Sequence, residues 1–278
     1  MTPDEYCQQK AAASGSSFYY SFLFLPAERR RAITALYAFC REVDDVVDET
    51  TGEAQVAAAK LAWWRLEVSN LFAGNPQHPV TRALAVFKDR FSIGQERLNE
   101  IIDGMEMDLT QTRYLDFAGL ERYCHRVAGA VGLLASGIFG YRDPRTLDYA
   151  RELGTAFQLT NIIRDVGEDA RKNRIYLPVA DLKEFGVPAA DILQARETPE
   201  FGRLMAFEAA RARAHYDKAM QVLPGADRRQ QRPGLIMAAI YRALLDEIER
   251  DGFRVLTRRT SLTPLRKFWI AWRTWISA

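Results

Sequence analysis

The sequence predicts an all-α fold, a single domain in which the helices surround a common core. Three observations carry that reading. Apolar residues recur at helical spacing along most of the 278 residues, and no convincing run alternates apolar with polar side chains as a half-buried strand would. The breaks are short and rich in Gly, Pro or polar residues: "AGNPQHP" (73–79), "EFGVP" (184–188) and "LPGADRRQQRPG" (223–234). None of these is long enough for an interdomain linker and no repeat of fixed period divides the chain, so residues 1–278 are read as one domain.

The elements follow in order. Thr2-Pro3-Asp4-Glu5 opens the first helix with a capping Thr, a first-turn Pro and a Glu placed to close a capping box. Residues 36–49, within "YAFCREVDDVVDE" (37–49), wind into a helix with Leu36, Phe39, Cys40, Val43, Val46 and Val47 on its apolar face. Tyr37, Arg41, Asp44 and Asp48 form a stripe about 60° wide at the edge of that face, while Asp45 and Glu49 point away towards solvent. The uncharged run "VAGAVGLLASGIFGY" (127–141) is too short for a membrane span and reads as a buried helix. Asp143-Pro144 and Thr263-Pro264 repeat the cap-then-Pro pattern of a helix start. In "QLTNIIRDVGEDARKNRIYLP" (158–178), Gln158, Asn161, Asp165 and Asp169 fall within about 80° of one another, with Leu159, Ile163 and Val166 on another side. Gly154 lies on the same face one turn earlier and leaves room for a bulky ligand.

Bulk properties narrow the function. Hydrophobic residues make up 48% and charged residues 27%, an ordinary globular balance. A net charge of +2 gives no general argument for a nucleic-acid partner. Cys7, Cys40 and Cys124 are odd in number and far apart, which indicates neither a disulfide framework nor a zinc site. The start "MTPDEYCQQK" lacks the basic and apolar regions of a signal peptide, so a cytoplasmic location is expected.

The two stripes carry the chemistry. Asp44 and Asp48 are one helical turn apart, as are Asn161, Asp165 and Asp169, and all are oxygen ligands suited to magnesium. Two such helices facing each other are over-supplied with negative charge. Magnesium usually binds through one or two carboxylates plus substrate phosphates, and Arg41, Arg164, Arg171 and Arg174 stand ready to oppose phosphate oxygens. A di-iron carboxylate bundle wants Glu-x-x-His pairs, which His78, His125 and His215 do not form; they read as structural or surface residues. The economical ligand is a diphosphate bridged to protein by magnesium.

On these motifs the chain resembles the squalene and phytoene synthase family of head-to-head prenyl transferases. The likeness runs from "SSFYYSFLFLP" (16–26) through "DDVVD" (44–48), "RYCHRVAGAVG" (122–132), "NIIRDVGED" (161–169) and "NRIYLP" (173–178) to Arg258. The resemblance implies an isoprenoid synthase-type helical bundle around a central cavity, two bound prenyl diphosphates and Mg2+. By position, Asp44, Asp48, Asn161, Asp165 and Asp169 correspond to metal ligands. Tyr37, Arg41, Arg164, Arg174 and Arg258 correspond to residues at the diphosphate, Tyr123 and Tyr241 to tyrosines near the reacting carbons, and Phe18 and Phe22 to aromatics of the prenyl pocket. The expected catalytic set is therefore Tyr37, Tyr123, Arg164 and Tyr241, with Phe18, Phe22, Arg41, Gln158, Arg174 and Arg258 holding substrate. Taken alone, Tyr241, Phe18 and Phe22 could equally be plain core, and Arg171 and Arg259 read as solvated charges.

The chemistry implied is ionisation of one prenyl diphosphate to an allylic carbocation, alkylation of the second chain, proton loss and cyclopropane closure. The cation needs a dry cavity. Residues 127–140 can line it, with Tyr123 on the helical face of Val127, Ala130 and Leu134. Within the family, the opening residues 1–26 and "LAWWRLEV" (61–68) look most like the bacterial hopanoid branch, which makes presqualene diphosphate from two farnesyl diphosphates. Squalene formation would add an NADPH-dependent step; phytoene or dehydrosqualene formation is the other alternative. A non-catalytic relative would be expected to lose acidic ligands, and both motifs are intact. The tail "TPLRKFWIAWRTWISA" (263–278) sets Trp269, Trp272 and Trp275 among Arg266, Lys267 and Arg273. That composition suits peripheral contact with the inner face of the membrane, the competing reading being a last helix packed on the core.

Overall fold

The computed structural model describes residues 1–13, 18–22, 24–49 and 54–277. Its helices are α1 (Pro3–Ala13), α2 (Phe18–Phe22), α3 (Ala27–Glu49), α4 (Ala54–Phe72), α5 (Pro79–Ala85), α6 (Gln95–Thr110) and α7 (Phe117–Cys124). A π-turn (His125–Gly129) joins α7 to α8 (Ala130–Phe139), followed by α9 (Arg145–Arg171), α10 (Val179–Glu184), α11 (Ala189–Leu193), α12 (Pro199–Val222), α13 (Arg232–Arg250) and α14 (Pro264–Ser277). Among the described residues, strand-type pairing is limited to an isolated bridge between Arg113 and Ile175. The architecture is all-α, as the periodicity predicts.

The helix ends obey the capping chemistry read from the chain. Thr2 donates its amide to Glu5 Oε2 at 2.7 Å and Glu5 returns its own amide to Thr2 Oγ1 at 3.2 Å, a closed capping box. Asp143 Oδ1 accepts from the Arg145 amide at 2.9 Å, and Thr263 Oγ1 from the Arg266 amide at 3.3 Å. The long break before α13 is no slack loop. Buried Asp227 accepts from the Arg142 and Asp143 amides and from Thr146 Oγ1, at 2.9, 3.0 and 2.8 Å. It thereby ties that break to the start of α9.

Burial is organised as two apolar clusters. One gathers the inner faces of α1, α3, α4, α5 and part of α6 and α8 around Leu36, Phe39, Leu61, Leu84 and Ile101. The other gathers α7, α9, α12 and α13 around Tyr149, Leu159, Tyr216, Ile236 and Leu245. Phe18 and Val127 touch both, so the seam between the clusters runs past α2 and the π-turn.

The π-turn changes two expectations. It inserts an extra residue into the helical repeat, so side chains beyond it leave the register set by α7. Tyr123 and Leu133 accordingly belong to the second cluster, whereas Ala130 and Leu134 belong to the first. The single face of Tyr123, Val127, Ala130 and Leu134 expected from an unbroken α-helix does not form. Nor does Gly154 leave space for a ligand. A side-chain carbon there would sit 2.7 Å from the Ala128 carbonyl oxygen and 2.8 Å from Gly129 Cα, so the missing side chain admits the π-turn backbone itself. Gly154→Ala is expected to destabilise the chain by about 1–3 kcal/mol through overpacking. The check is a lowered urea midpoint with an unchanged m-value.

Candidate active site

α3 and α9 present their polar stripes to a common region. On α3, Arg41 forks between Asp44 Oδ2 and Asp45 Oδ1, each at 2.6 Å. Asp45 does not point to open solvent as the helical wheel implies. It also takes Lys10 of α1 at 2.8 Å, since α1 packs along α3 and covers that side. The Glu49 side chain lies outside the described residues. Asp48 is met from the other stripe: Lys172, at the C-terminal cap of α9, donates to its Oδ1 at 2.8 Å. That contact brings the two acidic motifs to the same place.

On α9, Arg164 grips Asp165 with two donors, Nε at 2.8 Å from Oδ1 and Nη2 on Oδ2. Arg259 adds its Nε to the same Oδ1 at 2.7 Å and reaches Glu168 at 3.3 Å. Arg258, the residue expected at the diphosphate, instead pairs with Asp251, and its neighbour, read as a surface charge, reaches the acidic stripe. The cause is a backbone crossing. The segment after α13 lies directly on Gly167, whose amide donates to the Val255 carbonyl at 3.2 Å, and a side-chain carbon on Gly167 would sit 2.6 Å from that oxygen. The crossing fixes which residue of 255–259 faces α9.

Asp108 of α6, absent from the sequence reading, is the buried hub. Its Oδ2 accepts from Tyr123 at 2.9 Å and its Oδ1 from Tyr176 at 2.7 Å, while its carbonyl accepts from Arg174 Nη2 at 3.3 Å. Tyr114, Tyr123 and Tyr176 pack ring on ring around it, with centroids 5.2–5.9 Å apart. The signal was present: Asp108 follows Ile101 and Met105 at one-turn steps, an acid on an otherwise apolar stripe.

The electrostatics show how closely these groups converge. Burial pushes the Asp44 carboxyl up to about 6 despite Arg41, with Asp48, Asp45 and Asp108 adding to the rise. Burial also pushes Asp169 up to about 7, with Asp165 and Asp108 reinforcing it. Asp108 is itself raised by burial, against the hydroxyls of Tyr176 and Tyr123. Burial raises Asp165 less than Arg164 and Arg259 lower it, and it stays below the ordinary carboxylate value. Asp108 therefore acts on acids of both stripes and stands between them.

Phe18 sits between Phe22 and Tyr37, with ring centroids 6.1 and 5.6 Å away. Across from them, buried Tyr241 of α13 packs on Phe157 at 4.9 Å and senses Arg164, Tyr37 and the Asn161 amide. Gln158 is half-buried on α9 one turn before Asn161 and Ile162. The histidines are structural or peripheral, His78 capping α5 and His215 pairing with Glu152 at 2.7 Å.

The donor set fits a hard divalent cation. It is all oxygen, two of its carboxyls are lifted by burial and by the charge of neighbouring carboxylates, and Asn161 Oδ1 is buried without a hydrogen-bond partner. Among the described residues no three acids already stand together as a ligand group. Asp44, Asp48 and Asp165 are each held by an Arg or Lys, which a metal ion would have to displace.

Comparisons with known proteins point to one family. A family model described as squalene/phytoene synthase matches residues 11–266. A phytoene synthase of Arthrospira platensis is 36% identical over 276 residues, covering 95% of this chain and 89% of the relative. A crystal structure of a dehydrosqualene synthase in complex with ligand superposes with a TM-score of 0.87 at 28% identity, covering 98% of this chain and 95% of that one. The crystal structure of squalene synthase HpnC from Alicyclobacillus acidocaldarius does so with a TM-score of 0.81 at 31% identity, covering 90% and 94%.

The raised carboxyls make stability depend on pH in a definite direction. Asp44 and Asp169 keep their protons to higher pH in the folded chain than in the unfolded chain, where the ordinary value is 3.8. Their contribution is complete below that value and is lost as pH rises through about 6 and 7. Thermal melts of the metal-free chain between about pH 5 and pH 8 should show Tm falling with pH, more gently in Asp169→Asn. Added Mg2+ should restore most Tm at the alkaline end.

Proposed function

We propose that this chain, which belongs to the squalene/phytoene synthase family, joins two farnesyl diphosphates head to head to give presqualene diphosphate and free diphosphate. The observation that carries the reading is the meeting of two acidic stripes, marked by Lys172 on Asp48, with the buried unpartnered oxygen of Asn161 on the second. Magnesium held by Asp44, Asp48, Asn161, Asp165 and Asp169 would neutralise the departing diphosphate and make it a better leaving group.

The chain's own residues divide the rest of the work. Arg41, Arg164 and Arg259, released from their carboxylates, present fixed positive charge to the phosphate oxygens, and Arg174 adds another from the loop after α9. Phe18, Phe22, Tyr37, Phe157 and Tyr241 offer aromatic surface to the prenyl chains and to an allylic cation. Tyr123, with its hydroxyl fixed on Asp108, would accept or pass on the proton leaving the alkylated carbon. Water has to be kept from the cation, which it would capture as an alcohol. The donor's C–O bond breaks, a C–C bond forms, and loss of that proton with closure of the cyclopropane balances the step, leaving diphosphate and the proton as the other products.

The C15 substrate is supported by the two solved relatives at 28% and 31% identity, whose names are those of C30 products. A second reading, condensation of two C20 geranylgeranyl diphosphates to a phytoene-type product, has the stronger support in sequence, from phytoene synthases 33–36% identical over 94–99% of this chain. Incubating the chain and Mg2+ with each diphosphate separately, with and without NADPH, and identifying products by mass distinguishes them. Presqualene diphosphate that persists in NADPH is the expected result. Phytoene from the C20 substrate would establish the second reading, and squalene formed by this chain alone would make it a complete squalene synthase. Asp48→Asn and Asp165→Asn should each lower turnover by at least about 10³-fold at fixed Mg2+ with the helical circular dichroism unchanged. Near-normal turnover in either would remove the metal assignment.

A further inference from the structure

The last helix, α14, is held to the protein by one face and bare on the other. Ala271 is fully buried, Ile270 packs on the second cluster, and Trp275 stacks on Phe24 at 5.1 Å with the Arg232 guanidinium 4.8 Å over its ring. Arg266 anchors the start of the helix to Glu247 of α13 at 2.7 Å. The opposite face carries Leu265, Phe268, Trp269, Trp272 and Ile276, which are 48–83% exposed. Their spacing places all five in one continuous stripe about 100° wide. Arg273 flanks that stripe, its guanidinium 5.4 Å over the Trp269 ring.

Charge says what covers it. Residues 252–278 contain Arg254, Arg258, Arg259, Arg266, Lys267 and Arg273 and no acidic residue, in a chain whose net charge is only +2. Arg258, Arg259 and Arg266 are paired with Asp251, Asp165 and Glu247, so the cation that α14 itself offers beside its bare stripe is Arg273, with no acidic residue on the helix. Tryptophan beside cations on a helix that carries no carboxylate is the composition of an interfacial helix on anionic lipid. With 14 residues, α14 is about 21 Å long and cannot cross a bilayer; among the described residues no helix is long and apolar enough to do so. It can only lie in the plane.

Position ties the surface to the candidate site. Lys267, on the docked side of α14, is depressed first by burial and then by Arg164 and Arg259, so the helix borders the cation-rich end of the acidic region. α2, which bears Phe18 and Phe22, also packs against α14. We infer that α14 docks the enzyme on the surface of an anionic phospholipid bilayer, with the bare Trp stripe in the headgroup layer and the mouth of the prenyl site beside it. Resting on the reading of the site as a prenyl condensing centre, this places a C30 product at the solvent it partitions into as it leaves.

Flotation of the full chain with vesicles tests the surface without substrate. At least about tenfold more protein should float with phosphatidylcholine vesicles containing phosphatidylglycerol than with phosphatidylcholine alone, and raised salt should weaken the difference. The double variant Trp269→Ser/Trp272→Ser and the single variant Arg273→Glu should each lower flotation about tenfold, with Tm and turnover of detergent-dispersed substrate unchanged. Equal flotation of wild type and the double variant overturns the proposal. So does an absence of vesicle binding together with a dimer, in sedimentation velocity, that the double variant dissolves; the stripe would then bind a second copy. Arg273→Glu keeps the charge argument testable should the double variant fail to fold. Because flotation needs no turnover, a failed condensation assay would sink the functional reading and leave the surface standing.

Discussion

Like charge held in place is the constraint on which this structure turns. Asp44 and Asp48 from α3, Asp108 from α6, and Asp165 and Asp169 from α9 are drawn together by packing that has nothing to do with their own preferences. At an effective dielectric near 20, two carboxylates about 6 Å apart repel by roughly 3 kcal/mol. That opposition must be overcome by apolar contact elsewhere, which is why α9, the longest helix among the described residues, is buried along much of its length against α12, α13 and the π-turn. The close approaches at Gly154 and Gly167 belong to the same arrangement, because a side chain at either would move α9 or the segment bearing Arg259.

The repulsion is met locally by cations of two kinds. Arg41 and Arg164 come from the same helices as the acids they grip, so their pairing is set by helical spacing. Lys172 and Arg259 come from chain segments that reach across, so their pairing depends on the fold. All four use carboxylate oxygens that a divalent cation would also use, and all four carry donors that match phosphate. A magnesium diphosphate can thus exchange partners with this network without leaving a charge unpaired: the metal takes the carboxylates and the phosphates take the guanidiniums and the lysine.

What could be read from the sequence, and what could not, divides along the same line. The stripe Tyr37, Arg41, Asp44, Asp48 and the stripe Asn161, Asp165, Asp169 are properties of single helices, fixed by 3.6 residues per turn, and both are found where that period places them. Asp108 needed a third helix to give it meaning, although its place on the apolar face of α6 marked it as unusual. The exchange of Arg258 for Arg259 arose in a segment without a repeating structure, where no period tells neighbours apart. Asp45 was misplaced because a helical wheel knows nothing of α1. The register after Tyr123 failed because a π-turn leaves little trace in a run of Val, Ala and Gly.

The π-turn also bears on why charge and apolar chemistry can share one site. Its altered register splits α8, sending Leu133 to one apolar cluster and Ala130, Leu134 and Ile138 to the other, and leaves Val127 in contact with both. Small residues at 128–130 then allow the backbone itself, with its amides already committed to the helix, to form wall between α6 and α9. On the proposed reading such a wall would offer a carbocation no side-chain nucleophile, while Asp108 and the tyrosines it holds would mark the boundary with the charged end. On that reading a diphosphate would be stabilised on one side of the boundary and the cation it leaves behind on the other. The separation matters because recombination of the two ions is the nearest competing reaction, and only geometry stands against it.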